Sequence, residues 1–256
     1  YANNVSIDDY ENLQLSDLQN FHKQHYQLNN CNILVSGKIT TTVINTINEF
    51  FGKENIKNEP LSPKNKNIEY GKENKAFIKK EEALQSAIRL GKLMPNKLHK
   101  DYFGLKVFNT VLGGYFGSRL MNNIREDKGY TYGIGSGLIS LKNSGYFFIS
   151  TEVGSKVTEK ALSEIYKEIE KLQNEKISPN ELDLVKNYML GQFLKSCDGA
   201  FNMASLFEAV NSYGLDYSFY NQYIETIKTI TPKTLQELGV KYFNVNELKE
   251  VVVGEI

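Results

Sequence analysis

The chain has 256 residues, with 30 Lys plus Arg balanced by 30 Asp plus Glu. That length supports a core of ordinary size in one large domain or two small ones, and 41% hydrophobic with 23% charged residues is unlike a disordered chain. The neutral balance creates no field that would gather a polyanion, so nucleic acid is a poor expectation, and three His with two Cys make a self-contained zinc enzyme hard to build.

The opening YANNVSIDDYENLQ has neither a basic segment nor an apolar one, so it does not read as a signal peptide. It reads as a cut inside a longer polypeptide, with residues 1–15 as the remnant of an inter-domain linker. Ser16-Asp17-Leu18-Gln19 has capping-box spacing and predicts a helix from there to about Tyr26. Cys31 to Ile39 (CNILVSGKI) is a short apolar run ending near Gly37 and predicts a buried strand. Val43, Ile44, Ile47, Phe50 and Phe51 follow at helical spacing. Residues 53–75 are rich in Lys, Asn and Glu with Pro60 and Pro63, and predict a solvated connection.

Strands are expected at 76–80 and 83–93, then a helix over 98–112 with Tyr102, Leu105, Phe108, Val111 and Leu112 on one face. A short helix over 117–127 ends at Gly129. Tyr132–Ile139 and Gly145–Val153 read as paired strands about the turn Lys142-Asn143-Ser144-Gly145. Val157 to Leu172 is amphipathic. Ser178-Pro179-Asn180-Glu181 is a second capping box with Pro where its missing N–H costs nothing. Helices are expected to about Lys195 and over 200–213, 217–229 and 231–242, and LKEVVV closes the pattern as a strand. The order predicts an α+β fold, one mostly antiparallel sheet packed by helices, as a single domain over 1–256. No run of about 18 apolar residues calls for a membrane span. Cys31 and Cys197 lack CxxC spacing and fall in predicted regular elements, so they read as buried free thiols rather than a disulfide.

Few residues carry chemistry. His22 and His25 stand at i and i+3, a spacing that could place two metal ligands on one face, but the sequence between them is Lys23-Gln24. Neither HExxH nor HxxEH is present and the only other histidine is His99, so packing with Leu18 and Phe21 is the expected role. Gly113, Gly114 and Gly117 follow a helix and lack the Lys-Ser/Thr of a phosphate loop. Gly133, Gly135 and Gly137 alternate in a strand, where they would let another backbone or a bound chain come close.

The informative segment is Gly113 to Ser136 (GGYFGSRLMNNIREDKGYTYGIGS), which holds two of the three arginines, Arg119 and Arg125. Arg125 on the helix and Tyr132 at the strand start are strong donors suited to a peptide carbonyl, or to the oxyanion it becomes when attacked. The simpler alternative pairs Arg125 with Glu126 and leaves Tyr132 as a half-buried strand aromatic.

This segment resembles the SRL…xRExxGLxYS motif of the insulinase-type (pitrilysin) zinc metallopeptidases, which include mitochondrial processing peptidase. SDLQNFHKQHYQLNNCNILVSGKI, ALQSAIRLGKLMP, SPNELDLVKNYMLGQF and KEVVVGE are similar to further pieces of the second domain of that family, in order, over roughly residues 10–256. The resemblance implies a half-unit that binds no zinc and is inactive alone. It faces a partner half, fused or separate, which carries HxxEH with zinc. Arg125 and Tyr132 fall where the family places the Arg and Tyr that grip substrate peptide, and Tyr130 stands where Leu is more usual. The family also implies an alternative, a catalytically inert scaffold or assembly module. Homo-oligomers are compatible with either, and the compartment, bacterial cytoplasm or envelope, stays open.

Overall fold

The computed structural model describes residues 5–28, 31–52 and 73–255, and contacts divide the chain into two units, one within residues 1–69 and one within 70–256. The described residues of the first unit include the helices α1 (Ile7–Glu11), α2 (Leu15–His25) and α3 (Thr41–Phe51). Helix α1 lies inside the segment read as a linker. Its signal is Ser6-x-x-Asp9, in which the Ser6 N–H donates to the Asp9 carboxylate (2.8 Å) and the Asp9 N–H to Ser6 Oγ (3.3 Å). Helix α2 starts earlier than Ser16. The Asp17 carboxylate accepts from the Gln14 N–H (3.0 Å), which puts the cap at Gln14 and leaves Ser16 inside the first turn.

The strand expected at Cys31–Ile39 is not formed. The segment is irregular, Gly37 sits at φ +121°, and Ile33, Leu34 and Val35 are exposed. A strand exists only as a member of a ladder, and among the described residues of this unit there is no second strand to pair with. Cys31 is therefore exposed rather than buried, and Cys197 ends a helix in the second unit; both thiols are free. The connection expected over 53–75 lies outside the described residues up to position 72.

The second unit is the α+β fold the pattern predicts. Its sheet contains β1 (Lys75–Lys79), β2 (Gln85–Met94), β3 (Ile134–Leu141), β4 (Ser144–Gly154) and β5 (Lys249–Gly254), in the order β1-β5-β2-β4-β3. Only β1 with β5 is parallel. Strands β3 and β4 form a hairpin whose turn is the two residues Lys142 and Asn143, since Ser144 already pairs with Leu141. Helices α4 (Tyr102–Gly113), α5 (Thr158–Asn174), α6 (Pro179–Ser196), α7 (Ala200–Asn211), α8 (Ser218–Thr229) and α9 (Pro232–Tyr242) complete the unit.

Helix α4 is the hub. It packs on β3 and on α6, α8 and α9, and is buried nearly all round, as a helix sandwiched between layers must be. Phe108 from α4 stacks on Phe243 at 4.1 Å between ring centroids, and Phe147 from β4 meets Phe243 edge-on at 4.9 Å. All three are fully buried.

Two of the glycines, Gly113 and Gly137, are required by packing within the unit, whereas a Cβ on Gly133 would meet nothing within 4 Å. A Cβ on Gly113 would lie 2.6 Å from Ser136 Oγ and 2.8 Å from the Ser136 backbone nitrogen, so the α4 terminus rests hard on β3. Gly137 lies under the ring of its cross-strand partner Phe148. The second capping box is formed only in half. The Glu181 N–H donates to Ser178 Oγ (3.2 Å), but the Glu181 carboxylate is taken by Arg119.

Candidate functional site

The segment between α4 and β3 is wound differently from the α-helix its composition predicts. Residues Met121–Asp127 form a π-helix. Its exit is closed by the Lys128 N–H donating to the Asn123 carbonyl (3.0 Å) and the Tyr130 N–H to the Ile124 carbonyl (3.0 Å), with Gly129 at φ +63° making the turn. Wide turns of this kind concentrate at functional sites.

Two anchors hold the π-helix. Ile124 is buried in the core. Asn123 Nδ2 donates to Glu168 (2.7 Å) and Glu164 (3.1 Å) on α5, and the buried Glu168 also accepts from Lys171 (2.7 Å). The hydrogen bond from Lys167 and then that from Asn123 hold the Glu164 carboxyl below its ordinary range. Arg119 is a structural arginine. It forks onto both Glu181 oxygens at 2.8 and 3.0 Å, tying the site to the start of α6. Burial opposes its charge, but hydrogen bonding and the charge of Glu181 outweigh this and raise its pKa.

Arg125 faces elsewhere. Its guanidinium carbon lies 4.7 Å from the centroid of the Phe116 ring, and Nη1 is 3.0 Å from Glu126 Oε1. That nitrogen is buried and lacks a well-aligned hydrogen bond, so the pair is a charge contact with unused donor capacity. Half of the simpler alternative therefore holds, because Arg125 does pair with Glu126. The other half does not. Tyr132 is not half-buried but 92% exposed, precedes the first residue of β3, and has no hydrogen-bond or ring partner among the described residues. Among the described residues no hydrogen bond or cation–π contact joins Arg125 to Tyr132.

Tyr132 stands at the rim of a cleft of about 280 Å³, also lined by Gln85, Thr131, Gly133, Thr151 and Glu152. Its backbone is fixed by a hydroxyl pair that the sequence reading did not single out. Thr131 Oγ1 donates to the Glu152 carbonyl (2.7 Å) and accepts from the Gly133 N–H (3.1 Å). Thr151 Oγ1 lies 3.0 Å from Thr131 Oγ1 and 2.9 Å from the Gly133 carbonyl. Only the register that sets Ile134 opposite Thr151 brings these hydroxyls together. Thr131→Val keeps the shape and removes the hub of this network. The expected loss is about 1–3 kcal/mol in urea unfolding, because a polar cluster is left unpaired. A loss below a few tenths of a kcal/mol would show that the pair does not hold the turn.

The histidines form no site. His22 stacks on Tyr26 at 4.9 Å between centroids and His25 lies 4.4 Å from the Phe21 ring. Among the described residues no group of three His, Cys, Asp or Glu side chains could hold a metal ion. With Lys23 and Gln24 between them, the two histidines do not fit a catalytic zinc. No helix among the described residues is long and apolar enough to cross a membrane.

Residues 12–189 match the family described as the peptidase M16 inactive domain, and the chain belongs to that family. It is similar to the uncharacterized zinc protease YmxG of Bacillus subtilis, 26% identical over 181 residues, covering 71% of this chain and 43% of that protein. It is similar to the probable inactive metalloprotease YmfF of the same species, 21% identical over 240 residues, covering 93% of this chain and 55% of that protein. The crystal structure of a protease from Helicobacter pylori shares the fold with a TM-score of 0.85 at 22% identity, over 97% of this chain and 61% of that one. The chain spans about half the length of these curated relatives.

Proposed function

We propose that this chain is the non-zinc-binding domain of an insulinase-like zinc metallopeptidase, gripping peptide substrate through Arg125 and Tyr132 while a partner domain carrying HxxEH and zinc performs hydrolysis. The observation that carries this reading is the presentation of Tyr132. An aromatic residue left 92% exposed, with no hydrogen-bond or ring partner among the described residues, on a backbone pinned by two buried or half-buried threonines, is positioned for something outside the unit. Outer strand β3 begins two residues later and, among the described residues, pairs only with β4, so its other edge can take an extended peptide.

The chemistry assigned to this chain is limited to binding and charge stabilisation. The Tyr132 phenol donates one hydrogen bond to a substrate carbonyl. Arg125, turned away from Glu126, donates a second through its unused guanidinium protons. Two donors converging on one oxygen fix the peptide and favour the anion that forms when the carbonyl is attacked. All 256 residues belong to one functional domain on this reading.

The test is reconstitution. The chain, a separately produced HxxEH-bearing half and zinc are mixed with a peptide library, and cleavage is followed by mass spectrometry. Cleavage is expected only when all three are present. Full activity of the HxxEH half without this chain overturns the reading.

One alternative is favoured by a specific observation. The Arg125–Glu126 pair already occupies part of the guanidinium (3.0 Å), as suits a scaffold or assembly module that grips nothing. The relative YmfF is named a probable inactive metalloprotease. If the partner half lacks HxxEH, the scaffold reading replaces the first.

A further inference from the structure

A second cleft, separate from the one at Tyr132, opens among α4, α6, α7 and α8. It has a volume of about 320 Å³ and its lining includes Lys97, Lys106, Tyr102, Phe103, Phe219 and Tyr223. That size falls within the range of small-molecule pockets.

Its walls are aromatic. Phe103 packs on Phe219 at 4.6 Å and on Tyr223 at 5.7 Å between centroids. Its charges are of one sign. Two lysines line it and no Asp or Glu does. Neither lysine forms an ion pair among the described residues. The Lys97 ammonium donates to the Ala209 carbonyl (2.7 Å) and lies 4.4 Å from the centroid of the Tyr213 ring. The Lys106 ammonium has no hydrogen bond among the described residues and lies 6.0 Å from the centroid of the Tyr102 ring.

Two lysines lining one cleft among aromatic rings, with no acid in that lining, are costly for the fold unless a ligand neutralises them. Burial lowers the pKa of Lys106, and burial followed by the charge of Lys106 lowers that of Lys97. Burial also raises the Tyr102 phenol to about 12, so it stays neutral there.

The geometry points to a binding site for a small carboxylate carried on a flat apolar body, its anion between Lys97 and Lys106 and its body against Phe103 and Phe219. The acid could be free or the C-terminus of a peptide ending in an aromatic residue. Both present the same chemistry to the cleft.

Titration calorimetry on the whole chain tests this with hydrocinnamate and its neutral amide, hydrocinnamamide. A short peptide ending in Phe is compared in the same way with its C-terminal amide. Saturable binding of an acid is expected, with the matching amide at least tenfold weaker. The acid that binds more tightly identifies the source. Lys106→Met keeps the apolar stem and should weaken acid binding at least tenfold while leaving the circular dichroism spectrum unchanged. Equal binding of acid and amide, absence of saturation by either acid, or unchanged affinity in a folded Lys106→Met overturns the proposal. The acid–amide comparison needs no variant, so it decides the matter even if Lys106→Met fails to fold.

Discussion

Arg125→Ala and Tyr132→Phe, each placed in the reconstituted peptidase, are expected to lower peptide turnover about 10²–10³-fold, the usual cost of removing one donor from an oxyanion site. The two changes test different parts of the grip. Arg125→Ala removes a fork of donors and a charge, and also the contact with Phe116 at 4.7 Å, so a modest loss of stability accompanies it. Tyr132→Phe removes a single hydroxyl from a 92% exposed ring with no hydrogen-bond partner among the described residues. Its effect on unfolding should stay within about 0.5 kcal/mol. A steep fall in kcat with unchanged folding in Tyr132→Phe is therefore the cleaner result. If both variants keep full activity, neither residue grips substrate.

The largest effect on stability is expected from Phe243→Ala, a loss of about 3–5 kcal/mol. Phe243 is the third ring of a buried cluster, stacked on Phe108 at 4.1 Å and met edge-on by Phe147 at 4.9 Å. It joins the segment after α9 both to α4 and to β4. Removing it leaves a cavity between sheet and helices that neither element can close without moving the other. Typical stabilities are about 5–15 kcal/mol, so such a loss would be a large share of the total. Urea unfolding with an unchanged m-value checks it. A loss below about 1 kcal/mol would mean that the three rings repack freely.

Much of the second unit was legible because its signals are local and agree with one another. The alternation in Gly145–Val153, the stripe from Tyr102 to Leu112 and the Ser178-Pro179 and Thr231-Pro232 starts each specify one element. The structure places β4, α4, α6 and α9 there. The misreadings arose where an element depends on something distant. Cys31–Ile39 is apolar enough for a strand, but a strand also needs a neighbour. Glu181 has capping-box spacing, yet its carboxylate is drawn to Arg119 by a full charge and two aligned donors. The π-winding of Met121–Asp127 leaves no period that distinguishes it from an α-turn. Arg125 and Tyr132 could be singled out from residue type and motif. Thr131 and Thr151, which hold Tyr132 in place, could not, because only the pairing of β3 with β4 makes them neighbours. Ser6-x-x-Asp9 was readable and was missed because the surrounding residues are polar.

The strand order has a consequence for how the second unit is assembled. Among the described strands, β5 is the last in sequence but lies inside the sheet, between β1 and β2, and is the only neighbour of β1. Until residues 249–254 have left the ribosome, β1 has nothing to pair with and one edge of β2 stays open. Completion must wait for a contact between segments about as far apart in sequence as the unit allows, which makes that step slow. A protease that clips the chain just before β5 would for the same reason strip two strands from the sheet, not one.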